Sequence, residues 1–260
     1  MRSIWTGSIG FGLVNIPVKL FTAVQDSRLE LDMLDSRTGS RIHFKRVSEK
    51  TGKEVPWEQI TKGYLLNDEY VMLDAADFEA ASPKKSKIIE IESFVTETDI
   101  DDIYFETPYF IEPAKGGEKA YQLLLKALQK AGKAGLSRFV LRTQEHLAVI
   151  RPKENYLLLQ VLRFEEELKS PSEIKVPAAQ RISSKELEMA MSLIKQHSQA
   201  FNISKYHDEY KKELMKIIKH KASGKKTAPA KKLQVAYTAK DDLFDQLKAS
   251  LSKPSRKKAS

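Results

Sequence analysis

The apolar positions of the chain follow two different periods. Up to about residue 164 most of them alternate with polar positions or form short apolar runs; beyond about residue 183 they recur every three or four residues. Alternation marks half-buried strands, and the longer period marks helices. The opening stretch reads RSIWTGSIGFGLVNIPVKLFTAV. Val14, Ile16, Val18 and Leu20 alternate with Asn15, Pro17, Lys19 and Phe21, whereas Phe11 and Leu13 sit on the opposite parity. A one-residue change of phase exchanges the two faces of a strand. Residues 2–24 are therefore expected to form one long strand with a bulge or bend at residues 13–14. Pro17 has no N–H to give to a ladder, which places it at an edge or a bulge.

Further strands are expected at residues 29–34, 88–95 and 104–111, with a hairpin of 64–66 and 70–73 around Asn67 and Asp68. Residues 41–47, RIHFKRV, set Ile42 and Phe44 among basic neighbours. Asp74 can cap a short helix that stops before Pro83. Tyr121, Leu124, Leu125 and Leu128 share one face of a helix over 120–134, closed by Gly135. A meander of strands at 137–142, 147–150 and 156–164 follows. Ser183 and Glu186 have the spacing of a capping box. The helix behind them should bury Leu187, Ala190, Met191 and Ile194, and a second, over 206–221, should bury Tyr210, Leu214, Ile217 and Ile218. Residues 222–234 read as a Gly/Pro/Lys/Ala linker. Beyond it Leu243, Phe244, Leu247 and Leu251 form the stripe of a short helix. Some 13 residues are marginal for an isolated helix, so this stripe is a candidate for a partner's groove.

Charge sharpens the division. The net charge is +9 over 260 residues. Residues 221–260 hold 11 Lys and Arg against 3 Asp and Glu, while residues 1–220 hold 33 against 32. The tail thus reads as a polyanion-binding or interaction arm. Any such site on the remainder must come from segregated charge. There is no cysteine, which removes disulfides and thiolate chemistry and fits a reducing cytoplasm. No apolar run reaches the roughly 18 residues of a membrane span, and the N-terminus lacks a signal-peptide pattern.

No catalytic constellation stands out. The five histidines, His43, His146, His197, His207 and His220, lack the spacing of a zinc-hydrolase helix. The glycines at 7, 10 and 12 do not match a dinucleotide fingerprint, and Gly116-Gly117-Glu118-Lys119 is not a phosphate loop. Acidic clusters at 99–102 and 165–167 read as a turn and a solvated strand end. No metal site, cofactor site or enzyme activity is expected. Basic residues are the stronger signal: Arg41, Lys45, Arg46, Lys50 and Lys53 fall within 13 residues, Lys84, Lys85 and Lys87 begin a strand, and Arg138, Arg142 and Arg151 lie along the meander. Strands and turns that line up cations can follow a phosphate backbone without reading bases; surface strands are also often basic with no ligand. Trp5 and Trp57, each among apolar neighbours, are expected in the core.

Several segments together carry a resemblance. The opener R-S-I-W-x-G-x-I-x-F-G-L-V-N-I-P-V-K-L, Gly63-Tyr64 with Tyr70-Val71, EPAKGGEKAY at 112–121, EHLAVIRP at 145–152 and FNISKYHDEYKKELMKIIKHK at 201–221 occur in the order found in the bacterial Ku proteins, the DNA-end-binding factors of non-homologous end joining. The resemblance spans essentially residues 1–221; members often have Pro where this chain has Ile203. It implies an α+β, mainly β fold: a β-barrel core over 1–180 with a DNA-encircling bridge at about 29–103, a helical extension over 181–221 and a flexible basic tail over 222–260. It implies no catalysis. A homodimeric ring would enclose double-stranded DNA ends, with basic bridge residues on the duplex. The helices and tail would engage ATP-dependent DNA ligase D, in the cytoplasm and nucleoid. A second reading, of another class, is a barrel-core scaffold that binds RNA or ribosomes through its basic tail.

Overall fold

The structure, a computed structural model, describes residues 1–81, 87–142, 144–224, 247–248 and 250–251. They fall into two units, Met1–Glu173 and Ile174–Ser260. In the first, strands β1 (Trp5–Phe11), β2 (Val14–Thr22), β5 (Ile88–Thr96), β6 (Phe105–Pro113), β7 (Lys133–Leu141), β8 (Gln144–Pro152) and β9 (Leu157–Leu162) close a barrel in the order β1-β2-β6-β9-β8-β7-β5. All neighbours are antiparallel except β1 and β5, whose short parallel ladder runs from Ser8↔Ile88 to Gly10↔Glu90 and completes the circle. Closure leaves this sheet without edges.

The opening stretch is a hairpin, not one bent strand. Phe11 pairs with Val14, so the change of phase is a two-residue turn at Gly12 and Leu13. Gly12 has φ +57°, the positive value that a type II′ turn asks of its first central residue. Pro17 is instead inside a strand paired on both sides. It faces Ser8, whose own N–H points away to Lys87 O, and the β2–β6 ladder begins only at Val18. The missing N–H of Pro17 therefore falls beyond the end of that ladder, where Pro17 O still accepts from Ala114 N at 2.8 Å.

The alternating residues of the opener fill the barrel. Ile9, Ile16, Val18 and Leu20 are buried with Ile89, Ile111, Phe139, Ala148, Ile150, Leu157, Leu159 and Val161. Trp5 packs edge-on against Phe139 at 6.3 Å and donates its indole N–H to Val140 O at 3.0 Å. Helix α2 (Glu118–Ala131) packs on β2, β7 and β8 and adds Tyr121, Leu124, Leu125 and Leu128 to the same core. The helix ends at Gly132 (φ +62°), not Gly135, which lies inside β7 against Ile91. The left-handed backbone at Gly132 is a C-cap geometry that glycine adopts without strain. The Tyr121 hydroxyl donates to Ile111 O at 2.9 Å and accepts from Leu157 N at 2.7 Å. Burial raises the pKa of this phenol above its usual value, so it stays protonated as that double contact requires.

Arg151 fastens one end of the meander. Its guanidinium lies 4.8 Å over the Phe105 ring and pairs with Glu97. The Glu97 carboxyl is held below its usual range, first by the hydrogen bond from Arg151, with burial pulling the other way and the charges of Arg151 and Lys153 helping. A lowered carboxylate pKa contributes stability above the unfolded value and loses it as pH falls through the folded value. Glu97→Gln is therefore expected to flatten the loss of barrel stability on acidification below about pH 4.5. Melting temperatures of both proteins across that range will check this; parallel curves would refute it.

In the second unit, α3 (Ser184–His197) starts at the capping box: Ser183 Oγ accepts from Glu186 N at 3.3 Å, and Ser183 N donates to Glu186 at 2.7 Å. Asp208 caps α4 (Glu209–Ala222) through Lys211 N at 2.9 Å. Neither helix has a buried residue; Leu187, Met191, Ile194 and Tyr210 are exposed. The helical period identifies the apolar face but does not provide an element to cover it.

Candidate nucleic-acid interface

Between β2 and β5 lies an arm, residues 23–87, whose described residues contribute no strand to the barrel. The strand expected at 29–34 does not form; two minimal ladders lie along this part of the arm. Leu34 bridges Arg41, with Ile42 N donating to Met33 O at 2.9 Å. Val47 bridges Glu54, with Val55 N donating to Arg46 O at 2.9 Å. Then come β3 (Lys62–Leu66) and β4 (Glu69–Leu73), joined at Asn67 (φ 51°) and Asp68 (φ 65°) in the positive-φ manner of a type I′ hairpin. Helix α1 (Ala75–Ala81) follows; Asp74 Oδ1 accepts from Ala76 N at 2.8 Å and Asp77 N at 3.0 Å.

Charge along the arm is segregated. Residues 36–53 hold 6 Lys and Arg against the single Glu49, whereas 54–81 hold 7 Asp and Glu against the single Lys62. The five predicted cations all lie on the first part and all are exposed. Arg41 pairs with Asp32 at 2.5 Å and Lys45 with Glu54 at 2.7 Å, both on the surface. Such pairs are worth about 0–1 kcal/mol, so a phosphate can replace the carboxylate at small cost. Lys50 and Lys53 make no ion pair among the described residues. Arg46 lies over the Trp57 ring, 4.7 Å from its centroid.

The other predicted cations differ in kind. Arg138 is held between Glu92 at 2.9 Å and Glu145 at 3.1 Å, which neutralises it as an anion site. Arg142 is exposed at the turn after β7, with φ 63° and no ion pair among the described residues. Lys84, Lys85, Leu243 and Phe244 lie outside the described residues; Leu247 and Leu251 are helical and half-buried.

Trp57 is the residue that the sequence pattern misplaces: it is 67% exposed, not in the core. Pro56 precedes a single 3-10 turn, Trp57–Gln59, that has no buried residue. The β3–β4 hairpin is similarly bare. Tyr64, Leu66, Tyr70 and Met72 are exposed, and among the described residues of the unit none buries either face of this two-stranded sheet. An isolated hairpin is marginal in water, and contiguous apolar patches of this kind mark interaction surfaces. Among the described residues no cluster of three or more His, Asp or Glu assembles as a metal site, and no helix is long and apolar enough to cross a membrane.

A closed barrel whose segregated charge sits on an exposed inserted arm defines the class: a β-barrel protein built to display a surface. The family model described as the Ku70/Ku80 beta-barrel domain matches residues 10–189, and the chain belongs to the Ku family. Its relatives include the protein named "Non-homologous end joining protein Ku" of Coxiella burnetii, 35% identical over 99% of this chain and 96% of its own. The protein of the same name from Archaeoglobus fulgidus is 39% identical over 96% of this chain and 98% of its own. The Bacillus subtilis protein is 33% identical over 98% and 83%. Among solved structures, the SPOC domain of human PHD-finger protein 3 matches 62% of this chain at a TM-score of 0.32 and 11% identity, too slight a likeness to carry an argument.

Proposed function

We propose that the chain binds double-stranded DNA ends without sequence preference, as a homodimeric ring acting in non-homologous end joining, and that it recruits an ATP-dependent DNA ligase. The observation that carries the reading is the arm. Its basic part presents Arg41, Lys45, Arg46, Lys50 and Lys53 on exposed ladders and turns. Exposed cations of this kind contact phosphates and carry no sequence information. The uncovered β3–β4 hairpin supports the homodimer, since a second copy can cover what one chain leaves bare. The relatives' shared name supports the repair pathway. In this reading 1–180 is the clamp, the exposed helical faces of 181–221 and the tail, 222–260, engage the ligase, and no residue is catalytic.

Retention by a ring depends on a free end. The protein is expected to shift linear duplex and to leave the same duplex unshifted when it is closed into a circle or blocked at both ends. Equal binding of linear and closed-circular DNA in a gel shift would sink the proposal.

A further inference from the structure

Trp57 and Arg46 make an unusual surface pair. An indole is the largest apolar side chain, yet 67% of Trp57 is exposed. The guanidinium of Arg46 lies over the ring, 4.7 Å from its centroid, while two thirds of the residue stays accessible. Phe44, two residues before Arg46, is 78% exposed. Arg41, Lys45, Lys50 and Lys53, all exposed, belong to the same short stretch of the arm. Aromatic faces set among cations are the common recipe for holding unpaired nucleotides: the cations track the backbone and the rings stack on bases, with an adjacent arginine adding a cation–π contribution. Inside a duplex both faces of every base are stacked, and a blunt end frees only the outer face of its terminal pair. A single-stranded extension at a broken end frees base faces along its length.

We propose that Trp57, backed by Arg46 and with Phe44 exposed on the same arm, is a stacking platform for unpaired nucleotides at a DNA end. The inference rests on the reading of the chain as an end-binding protein and adds a ligand class to it: ends that carry a single-stranded tail. Stacking on any base face is tolerant of sequence, so the platform keeps binding indifferent to which bases form the tail.

The test uses the full-length protein and two duplexes of equal length, one blunt and one with a short thymidine tail, titrated by fluorescence anisotropy at a single salt concentration. The wild type is expected to bind the tailed duplex more tightly. Trp57→Ala should weaken tailed binding by roughly ten-fold and blunt binding by less than about two-fold. Trp57→Phe, which keeps a ring, should retain most of the preference, and Arg46→Gln should lose part of it. Equal affinity of the wild type for both duplexes overturns the platform. So does a parallel loss on both duplexes in Trp57→Ala, which would assign the indole to duplex contact or to the surface between two copies. Absence of blunt-duplex binding by the wild type is a separate outcome: it removes the end-binding reading, and the platform with it.

Discussion

Changing Lys45, Lys50 and Lys53 together to Gln, six lysines in the proposed homodimer, is expected to lower the affinity for linear duplex DNA by at least on the order of 100-fold at moderate salt and to flatten the log–log salt dependence by roughly five units of slope. Each cation that neutralises a phosphate releases about one counterion, so the slope counts contacts directly. The three lysines differ in what they give up. Lys50 and Lys53 stand without an ion pair among the described residues, whereas Lys45 must leave Glu54, 2.7 Å away, before it meets a phosphate. Lys45 alone should therefore matter least of the three. Gln keeps much of the length and polarity of Lys, which confines the change to charge. The loss should be equal on duplexes of unrelated sequence, because contacts to phosphate do not read bases. Arg138→Gln is the control: with Glu92 and Glu145 on either side, it should leave both affinity and slope nearly unchanged. Anisotropy titrations at several salt concentrations will separate the outcomes. A loss that varies with sequence, or a slope that stays where it was, would remove the basic arm as the DNA contact.

The second large effect concerns the barrel. Tyr121→Phe is expected to destabilise it by roughly 2–6 kcal/mol, although only one oxygen is removed. That oxygen is inserted into the β6–β9 ladder. Ile111 and Leu157 are register partners, and the Tyr121 hydroxyl takes the N–H of Leu157 and returns its proton to the carbonyl of Ile111. Phe leaves both groups buried and unpaired, at about 1–3 kcal/mol each. The ring itself still fills its place among Leu124, Leu125 and Leu157, so packing loss is not the cause. Urea unfolding followed by the fluorescence of Trp5, which is packed on Phe139 inside the barrel unit, reads this transition. A loss below about 1 kcal/mol would mean that water replaces the hydroxyl at no cost, and that the hydroxyl does not splice the ladder.

Much of the barrel was legible in the chain, for a local reason. Period-two runs such as Val14 to Leu20, the i, i+3, i+4, i+7 face of α2 and the Asn67-Asp68 hairpin signal each depend on residues close in sequence. The reading failed where the same local pattern has two geometric solutions. A parity change at residues 13–14 fits both a bulge and a tight turn; the paired register of Phe11 with Val14 decides for the turn. The parallel closure of β1 on β5 was beyond reach, because it joins Ser8 to Ile88 with no signal in either segment.

The site was legible in composition and not in environment. Five cations within residues 41–53 identified the arm, yet nothing in the spacing separates Lys50, which is unpaired among the described residues, from Arg138, which two carboxylates hold. Trp57 was expected inside because Val55 and Ile60 flank it. All three belong to a segment with no core of its own, and apolar neighbours in sequence bury a side chain only when a layer lies beneath them. The same holds for Leu187, Met191 and Ile194 on α3.

The way the arm is attached has a consequence for how this chain can change. The arm leaves the barrel after Thr22 and rejoins it at Ile88, and the strands it leaves and enters both flank β1. Since β2 runs against β1 and β5 runs with it, departure and return fall toward the same rim, about two strand spacings or ~10 Å apart across the sheet. No barrel ladder passes through the arm. The barrel carries the fold's cohesion and the arm carries its variable surface, so the two answer to different selective demands. Between its end residues Ala23 and Lys87, whose backbone groups bond to Pro108 and Ser8, the charges and rings of the arm can be exchanged, and its length altered, while those barrel hydrogen bonds stay in place.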